Sequence, residues 1–200
     1  MSQQLTVAFI VFAAVSAFTP GPNNVMLMSS GLNYGFRRSF QHMAGVTIGY
    51  AFLVIVFGFG LGAIFATYPL LQTILKYAGA IYLVWLAAVI AMSRPPDADA
   101  AAQGKPLSFF GAALFQWINV KGWVIAIVSV SAYAAIASYP WNMIILALII
   151  LVITMGSSLT WVLFGTALQS LVKSPRAVRI FNITMALLLI ASLYPVLVEG

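Results

Sequence analysis

Six runs of mostly apolar residues, each long enough to cross a bilayer as a helix, follow one another along this chain. Their approximate bounds are 5–31, 40–65, 70–92, 107–134, 140–169 and 178–198. A helix needs about 20 such residues to cross the hydrocarbon core. Only 6% of the 200 residues are charged and 63% are hydrophobic, unlike a soluble domain. Residues 1–200 are therefore predicted to form a single all-α integral membrane domain, with six transmembrane helices in a lipid bilayer.

The basic residues predict the orientation of these spans, because cytoplasmic loops carry an excess of lysine and arginine. Seven of the nine lie between spans one and two, three and four, or five and six: Arg37, Arg38, Arg94, Lys105, Lys173, Arg176 and Arg179. These loops are expected in the cytoplasm and both termini on the other side. The same placement accounts for the net charge of +6, so no nucleic-acid partner is expected.

The first span is interrupted by two prolines and a glycine, in the sequence Thr19-Pro20-Gly21-Pro22-Asn23-Asn24. Each proline lacks a backbone N–H and crowds the preceding turn, so a continuous helix is not expected at 20–24. Backbone groups freed within a bilayer must be satisfied by protein or by a water-filled cavity. A helix broken at membrane depth therefore indicates a binding site.

The fourth span contains a second polar interruption, Gln116-Trp117-Ile118-Asn119-Val120-Lys121-Gly122-Trp123. Lys121 lies about 20 Å into the span at the helical rise, and a charge at that depth is costly enough to suggest a functional role. Asn119 and Lys121 are two residues apart and would point to opposite sides of a regular helix. They can serve one site only if the backbone loosens there, which Gly122 would permit.

The two interruptions occupy matching places in two halves of the chain. Repeat 1 covers about 1–92, a cytoplasmic loop covers 93–106, and repeat 2 covers about 107–200. Because each half has three spans, the halves must insert with opposite orientations. Inverted repeats with interrupted helices in corresponding positions are typical of secondary transporters, whose site lies near the midplane.

The motif Pro20-Gly21-Pro22-Asn23, followed by Gly31, Gly35, Gly45 and Gly49, resembles the signature of the LysE/RhtB superfamily of amino-acid exporters. Asn119-Val120-Lys121 is similar to the Asn-Pro-Lys of that family, with Val120 in place of proline, so unwinding of span four stays an open question. The closest resemblance is to the cysteine and O-acetylserine exporter branch. It implies a small amino-acid substrate carried out of the cytoplasm across a bacterial inner membrane, with both termini periplasmic.

These observations predict one substrate site between the two interrupted helices. The ammonium of Lys121 is expected to bind the substrate carboxylate, since a charge-assisted contact is strong in a medium of low dielectric constant. Asn23, Asn24 and Asn119 are expected to bind the amino group. Pro20, Gly21 and Pro22 are expected to shape the cavity.

Other function classes fit less well or stay open. The chain has one histidine and no cysteine, and its three acidic residues, Asp97, Asp99 and Glu199, lie outside the spans. No catalytic site, metal site or cofactor is therefore expected, and the chain is not expected to be an enzyme. A small-anion or amino-acid channel formed by a homo-oligomer remains an alternative. Proton coupling also stays open, with His42 as its candidate site.

Overall fold

The computed structural model of the protein describes residues 3–61, 67–93, 104–171 and 174–194. Regular structure within these residues is helical. The helices are α1 (Gln3–Phe18), α2 (Pro22–Val56, continued by a π-helical turn, Phe57–Leu61), α3 (Pro69–Met92), α4 (Phe109–Phe115), α5 (Val120–Ala132), α6 (Trp141–Leu171) and α7 (Pro175–Ala191). In the described ranges, three helices are long and apolar enough to cross a membrane, and α4 with α5 would make a fourth.

The chain turns sharply inside α2, at Gly35. This residue has φ 75° and ψ 170°, a left-handed backbone conformation that glycine adopts without steric cost. The hydroxyl oxygens of Ser30 and Ser39 are 2.9 Å apart, although a straight helix would separate nine residues by about 13.5 Å along its axis. α2 is therefore two arms, 22–34 and 36–56, which correspond to parts of the predicted spans one and two.

Glycines let the backbones of α2, α4 and α6 approach closely. A Cβ at Gly31 would overlap the carbonyl oxygen of Val162, and one at Gly165 would overlap that of Met28, so the first arm of α2 lies directly against α6. A Cβ at Gly49 would lie 2.6 Å from the Cα of Ala113 in α4. Small residues at such positions are a common means of helix packing in membranes.

A buried amide network joins the first arm of α2 to α7 and to the end of α3. Asn33 and Asn182 donate to each other's side-chain oxygens at 2.8 and 2.9 Å, and Asn182 also donates to the carbonyl oxygen of Ser93 at 2.9 Å. Nearby, Arg38 donates to the carbonyl oxygen of Gly104 at 3.3 Å. The Gly35 turn, the end of α3 and the segment before α4 thus meet at one end of the bundle.

The first predicted interruption is real but narrower than expected. α1 ends at Phe18 and α2 begins at Pro22, so Asn23 and Asn24 are helical and the prediction of a break through residue 24 was wrong. The reason is that proline is well suited to the first helical position, where its missing N–H has no intrahelical partner to lose.

The second interruption is also present, despite valine at position 120. α4 continues as a 3-10 turn, Gln116–Ile118, and the chain then bends by 72° into α5. Asn119 stands at the bend with φ −86° and ψ 94°, outside the helical region. Whether span four unwinds with valine at position 120 was left open by the sequence. The helix is interrupted at Asn119, one residue before Val120.

Some predicted features lie outside the described residues. These are the end of the second predicted span at 62–65 and most of the loop at 93–106, with Arg94, Asp97 and Asp99, together with Lys173 and Glu199. The last predicted span, 178–198, coincides with α7 up to Ala191, and its final residues are likewise outside.

Candidate functional site

The two helix breaks face each other, and Lys121 joins them. Its Nζ donates to the carbonyl oxygen of Thr19 at 2.8 Å and to that of Pro20 at 3.4 Å. Thr19 and Pro20 follow the C-terminus of α1, where carbonyl groups lack intrahelical partners and carry partial negative charge. The first turn of α5 therefore places an ammonium group against the end of α1.

A second contact links the other two half-helices. Asn23, in the first turn of α2, and Gln116, just after α4, exchange two hydrogen bonds between their side-chain amides, at 2.9 and 3.1 Å. Gln116 also donates to the carbonyl oxygen of Ala112 at 2.9 Å, and its side chain is completely buried. Gln116 thus fixes the position of Asn23 at the break.

Other carbonyl groups freed at the end of α1 are satisfied by side chains. Asn24 donates to the carbonyl oxygens of Ala17 and Thr19 at 3.0 and 2.9 Å. Ser157 in α6 also donates to the carbonyl oxygen of Ala17, at 2.7 Å. Asn24 therefore caps the C-terminal end of α1, and its amide nitrogen already donates hydrogen bonds to the protein backbone.

A small cavity of about 40 Å³ lies between the breaks and the helices α2 and α6. Among the described residues, three of its lining side chains have a buried polar atom without a hydrogen-bond partner: the Tyr50 hydroxyl, the Asn119 Oδ1 and the Thr154 hydroxyl. Each of these side chains is less than one-tenth exposed. Buried polar groups are normally paired, so the walls of this cavity hold three unused hydrogen-bonding groups.

A larger groove of about 660 Å³ adjoins the same breaks. Its walls include Lys76 and Gly79 in the first half of α3, and Ser192 and Leu193 just after α7. Gly21, Pro22, Asn119 and Lys121 line both the groove and the small cavity. Lys121 therefore stands between a wide opening on one side and a narrow polar cavity on the other.

The structure brings most of the predicted site residues together. Pro20 lines the groove, Asn23 and Asn24 line the cavity, and the remaining four line both. Asn119 and Lys121, which a regular helix would direct apart, share one site because the chain bends at Asn119.

The exception is His42, which lines neither space. It is buried in the second arm of α2, and its ring nitrogens have no hydrogen-bond partner among the described residues.

Sequence reasoning assigned no role to Tyr50, Thr154 and Ser157, which line the cavity, or to Gln116, which pairs with Asn23. Each is a polar side chain inside a long apolar run, which is the signal that could have found them. That signal is weak for Thr and Ser, since their hydroxyls often bond a carbonyl of their own helix.

Comparison with known proteins identifies the type of molecule. A family profile described as "LysE type translocator" matches residues 14–192. The chain belongs to the LysE type translocator family. It is 33% identical over 195 residues to a protein of Escherichia coli O139:H28 described as a cysteine/O-acetylserine efflux protein, covering 95% of this chain and 96% of that protein.

Proteins of the same description from Escherichia coli K12 and Shigella sonnei are each 32% identical to this translocator over 195 residues, with the same coverage. No solved structure matches the chain. The family and these relatives are transporters and not enzymes, as the sequence predicted. The site between the breaks is accordingly considered as a site for a transported molecule.

Proposed function

We propose that this translocator exports an amino acid of the cysteine or O-acetylserine type from the cytoplasm across the bacterial inner membrane. The chain matches the cysteine/O-acetylserine efflux proteins over nearly their whole length, which supports a shared class of substrate. The substrate site lies between the two helix breaks, at Lys121 and Asn119.

The observation that carries this proposal is the position of the Lys121 ammonium, held by two backbone carbonyls beside unpartnered polar groups. A substrate carboxylate carries a full negative charge and is a stronger partner for an ammonium than a neutral carbonyl. When Lys121 turns to the carboxylate, the carbonyl oxygen of Thr19 keeps its bond from Asn24 and has its second lone pair free. That oxygen and the Asn119 Oδ1 are the acceptors that a substrate ammonium needs.

An inverted repeat is supported by the pattern of contacts between the breaks. The end of α1 meets the start of α5 through Thr19 and Lys121, and the end of α4 meets the start of α2 through Gln116 and Asn23. A two-fold axis that exchanges the two halves would convert each of these contacts into the other. The proposed repeats are α1 with both arms of α2 and α3, and α4 with α5, α6 and α7.

Alternating access is supported by the contrast between the two ends of the bundle. The groove opens beside the first half of α3 and the end of α7, whereas Asn33, Asn182 and Ser93 are joined by hydrogen bonds at the other end. That closed end also carries Arg38, and basic loops favour the cytoplasm. The described arrangement is therefore interpreted as outward-facing, with both termini periplasmic.

The test is transport by purified protein in liposomes, measured as counterflow of labelled L-cysteine kept reduced. Lys121→Met keeps the length of the side chain but removes its charge. A hydrogen bond to a charged group contributes about 1.5–3 kcal/mol, so transport efficiency is expected to fall by roughly 10- to 150-fold.

Lys105→Met is the matched control, because Lys105 is an exposed lysine outside the proposed site. It is expected to transport like the unmodified protein. Normal counterflow by Lys121→Met would refute the assigned role of Lys121. Failure of the unmodified protein to move any small neutral amino acid would refute the proposed function itself.

A further inference from the structure

We propose that Tyr50 and Thr154 form a subsite for the substrate side chain, which selects a small, uncharged side chain carrying a hydroxyl or thiol group. This inference rests on the proposed function and assigns a different part of the substrate. Lys121 and Asn119 would hold the carboxylate and the amino group. The two hydroxyls would contact the side chain, which distinguishes one small amino acid from another.

The first observation is that both hydroxyls are buried, line the same cavity and have no hydrogen-bond partner among the described residues. They belong to different elements, Tyr50 to the second arm of α2 and Thr154 to α6. The packing of α2 against α6 therefore brings two unused hydrogen-bonding groups to one small space. An isolated buried hydroxyl is unfavourable in a folded protein, and a ligand that pairs with it removes that cost.

The behaviour of other threonines in the same structure makes Thr154 unusual. The hydroxyls of Thr160, Thr166 and Thr184 each donate to the carbonyl oxygen four residues earlier in their own helix, at 2.8 or 2.9 Å. Such bonds are the ordinary way in which a helical threonine satisfies its hydroxyl. Thr154 makes no such bond, although it is well inside α6. Its hydroxyl is therefore an unused hydrogen-bonding group in a residue that lines the cavity.

The size of the cavity limits the side chain that can enter. Its volume of about 40 Å³ is well below the roughly 150 Å³ of a cavity that holds a benzene ring. Its walls include Ala13, Ala17 and Gly122, and the apolar side chains of Ile125 and Ile150. A side chain as short as that of serine or cysteine is therefore favoured over an aromatic or long aliphatic one.

The charges around the cavity exclude ionised side chains. No residue that lines it is acidic, so a basic side chain would have no partner. Lys121 is the charged residue among the lining side chains, and the substrate's own carboxylate occupies it in the proposed mode. A second carboxylate would be left unpaired in a buried site, which is strongly unfavourable. Uncharged hydroxyl and thiol groups can pair with Tyr50 and Thr154, whose hydroxyls both donate and accept.

The test compares L-serine, L-cysteine and L-alanine as inhibitors of counterflow. Serine and alanine differ by one hydroxyl, so the ratio of their inhibition constants reports on the subsite alone. The variants are Tyr50→Phe and Thr154→Val, each of which removes a hydroxyl and keeps the shape of the side chain. The matched controls are Tyr139→Phe and Thr160→Val, which alter exposed residues outside the cavity.

The unmodified protein is expected to prefer serine and cysteine to alanine, and each subsite variant is expected to reduce that preference about fivefold. Affinity for alanine and the melting temperature of Thr154→Val should not fall, since the lost hydroxyl has no partner in the protein. An unchanged serine-to-alanine ratio in both variants would overturn the inference. So would a destabilised Thr154→Val protein with an unchanged ratio, the result expected if the hydroxyls only bind a structural water. If none of the three amino acids inhibits, the proposed function fails instead.

Discussion

Replacing Gly21 by alanine should move the Lys121 ammonium without changing its charge. Gly21 precedes the first turn of α2 with φ −173° and ψ −179°, an extended conformation open to any residue. Alanine there introduces no backbone strain. A Cβ at this position would lie 2.9 Å from Nζ of Lys121 and 3.0 Å from its Cδ. Non-bonded heavy atoms prefer about 3.5–4.0 Å, so the end of the lysine side chain must withdraw by at least about 0.6 Å.

The size of the effect follows from the contact between the Lys121 ammonium and the substrate carboxylate in the proposed site. A good hydrogen bond spans about 2.7–3.2 Å, so a displacement of about 0.6 Å takes the ammonium out of that range. Loss of a charge-assisted bond costs about 1.5–3 kcal/mol, and displacement of the donor should forfeit about half of it. Transport efficiency is therefore expected to fall roughly 4- to 13-fold, equivalent to about 0.75–1.5 kcal/mol.

The assay pairs counterflow with thermal unfolding in detergent, which separates a local displacement from a general loss of stability. A glycine replaced by alanine without backbone strain stabilises a protein by about 0.4–1 kcal/mol through its unfolded state, and the weakened hydrogen bond from Lys121 to Thr19 offsets that gain. Gly21→Ala should thus melt close to the unmodified protein while transporting more slowly. Gly156→Ala is the control, since a Cβ there meets no atom within 4 Å. Normal transport by Gly21→Ala, or slow transport explained by a lower melting temperature, would contradict the proposed dependence of transport on the position of the Lys121 ammonium.

Three further predictions concern packing, the amide network and topology. Gly165→Ala places a Cβ against the carbonyl oxygen of Met28, and such overpacking should lower the free energy of unfolding by about 1–3 kcal/mol, measured against Gly156→Ala. Asn182→Leu removes the donor to the Asn33 Oδ1 and to the Ser93 carbonyl oxygen and should cost about 1–3 kcal/mol, whereas the double variant with Asn33→Leu should recover part of the loss. The chain has no cysteine, so a single introduced cysteine can report on topology. In intact cells an impermeant maleimide should label Ser192→Cys, but it should label Lys105→Cys only after permeabilisation. The reverse pattern would contradict the proposed topology.

Some of this protein could be read directly from its sequence, because the determining physics is local. A bilayer demands runs of about 20 apolar residues, and the loops between them carry the basic residues. Two prolines around Gly21 cannot both lie inside one helix, so a break near them was expected. A lysine deep in an apolar run must have a partner, which marked Lys121 before its surroundings were known.

The tertiary structure decided which groups at the breaks are used and which are available. Asn23 and Asn24 look alike in the sequence, yet Gln116 pairs with the first, and the second closes the end of α1. Tyr50 and Thr154 are ordinary residues in their own helices. They become a site because residues about 100 positions apart pack together and leave both hydroxyls unpaired around one cavity. Hydrogen-bond satisfaction depends on these distant contacts, so no local pattern in the chain could reveal it.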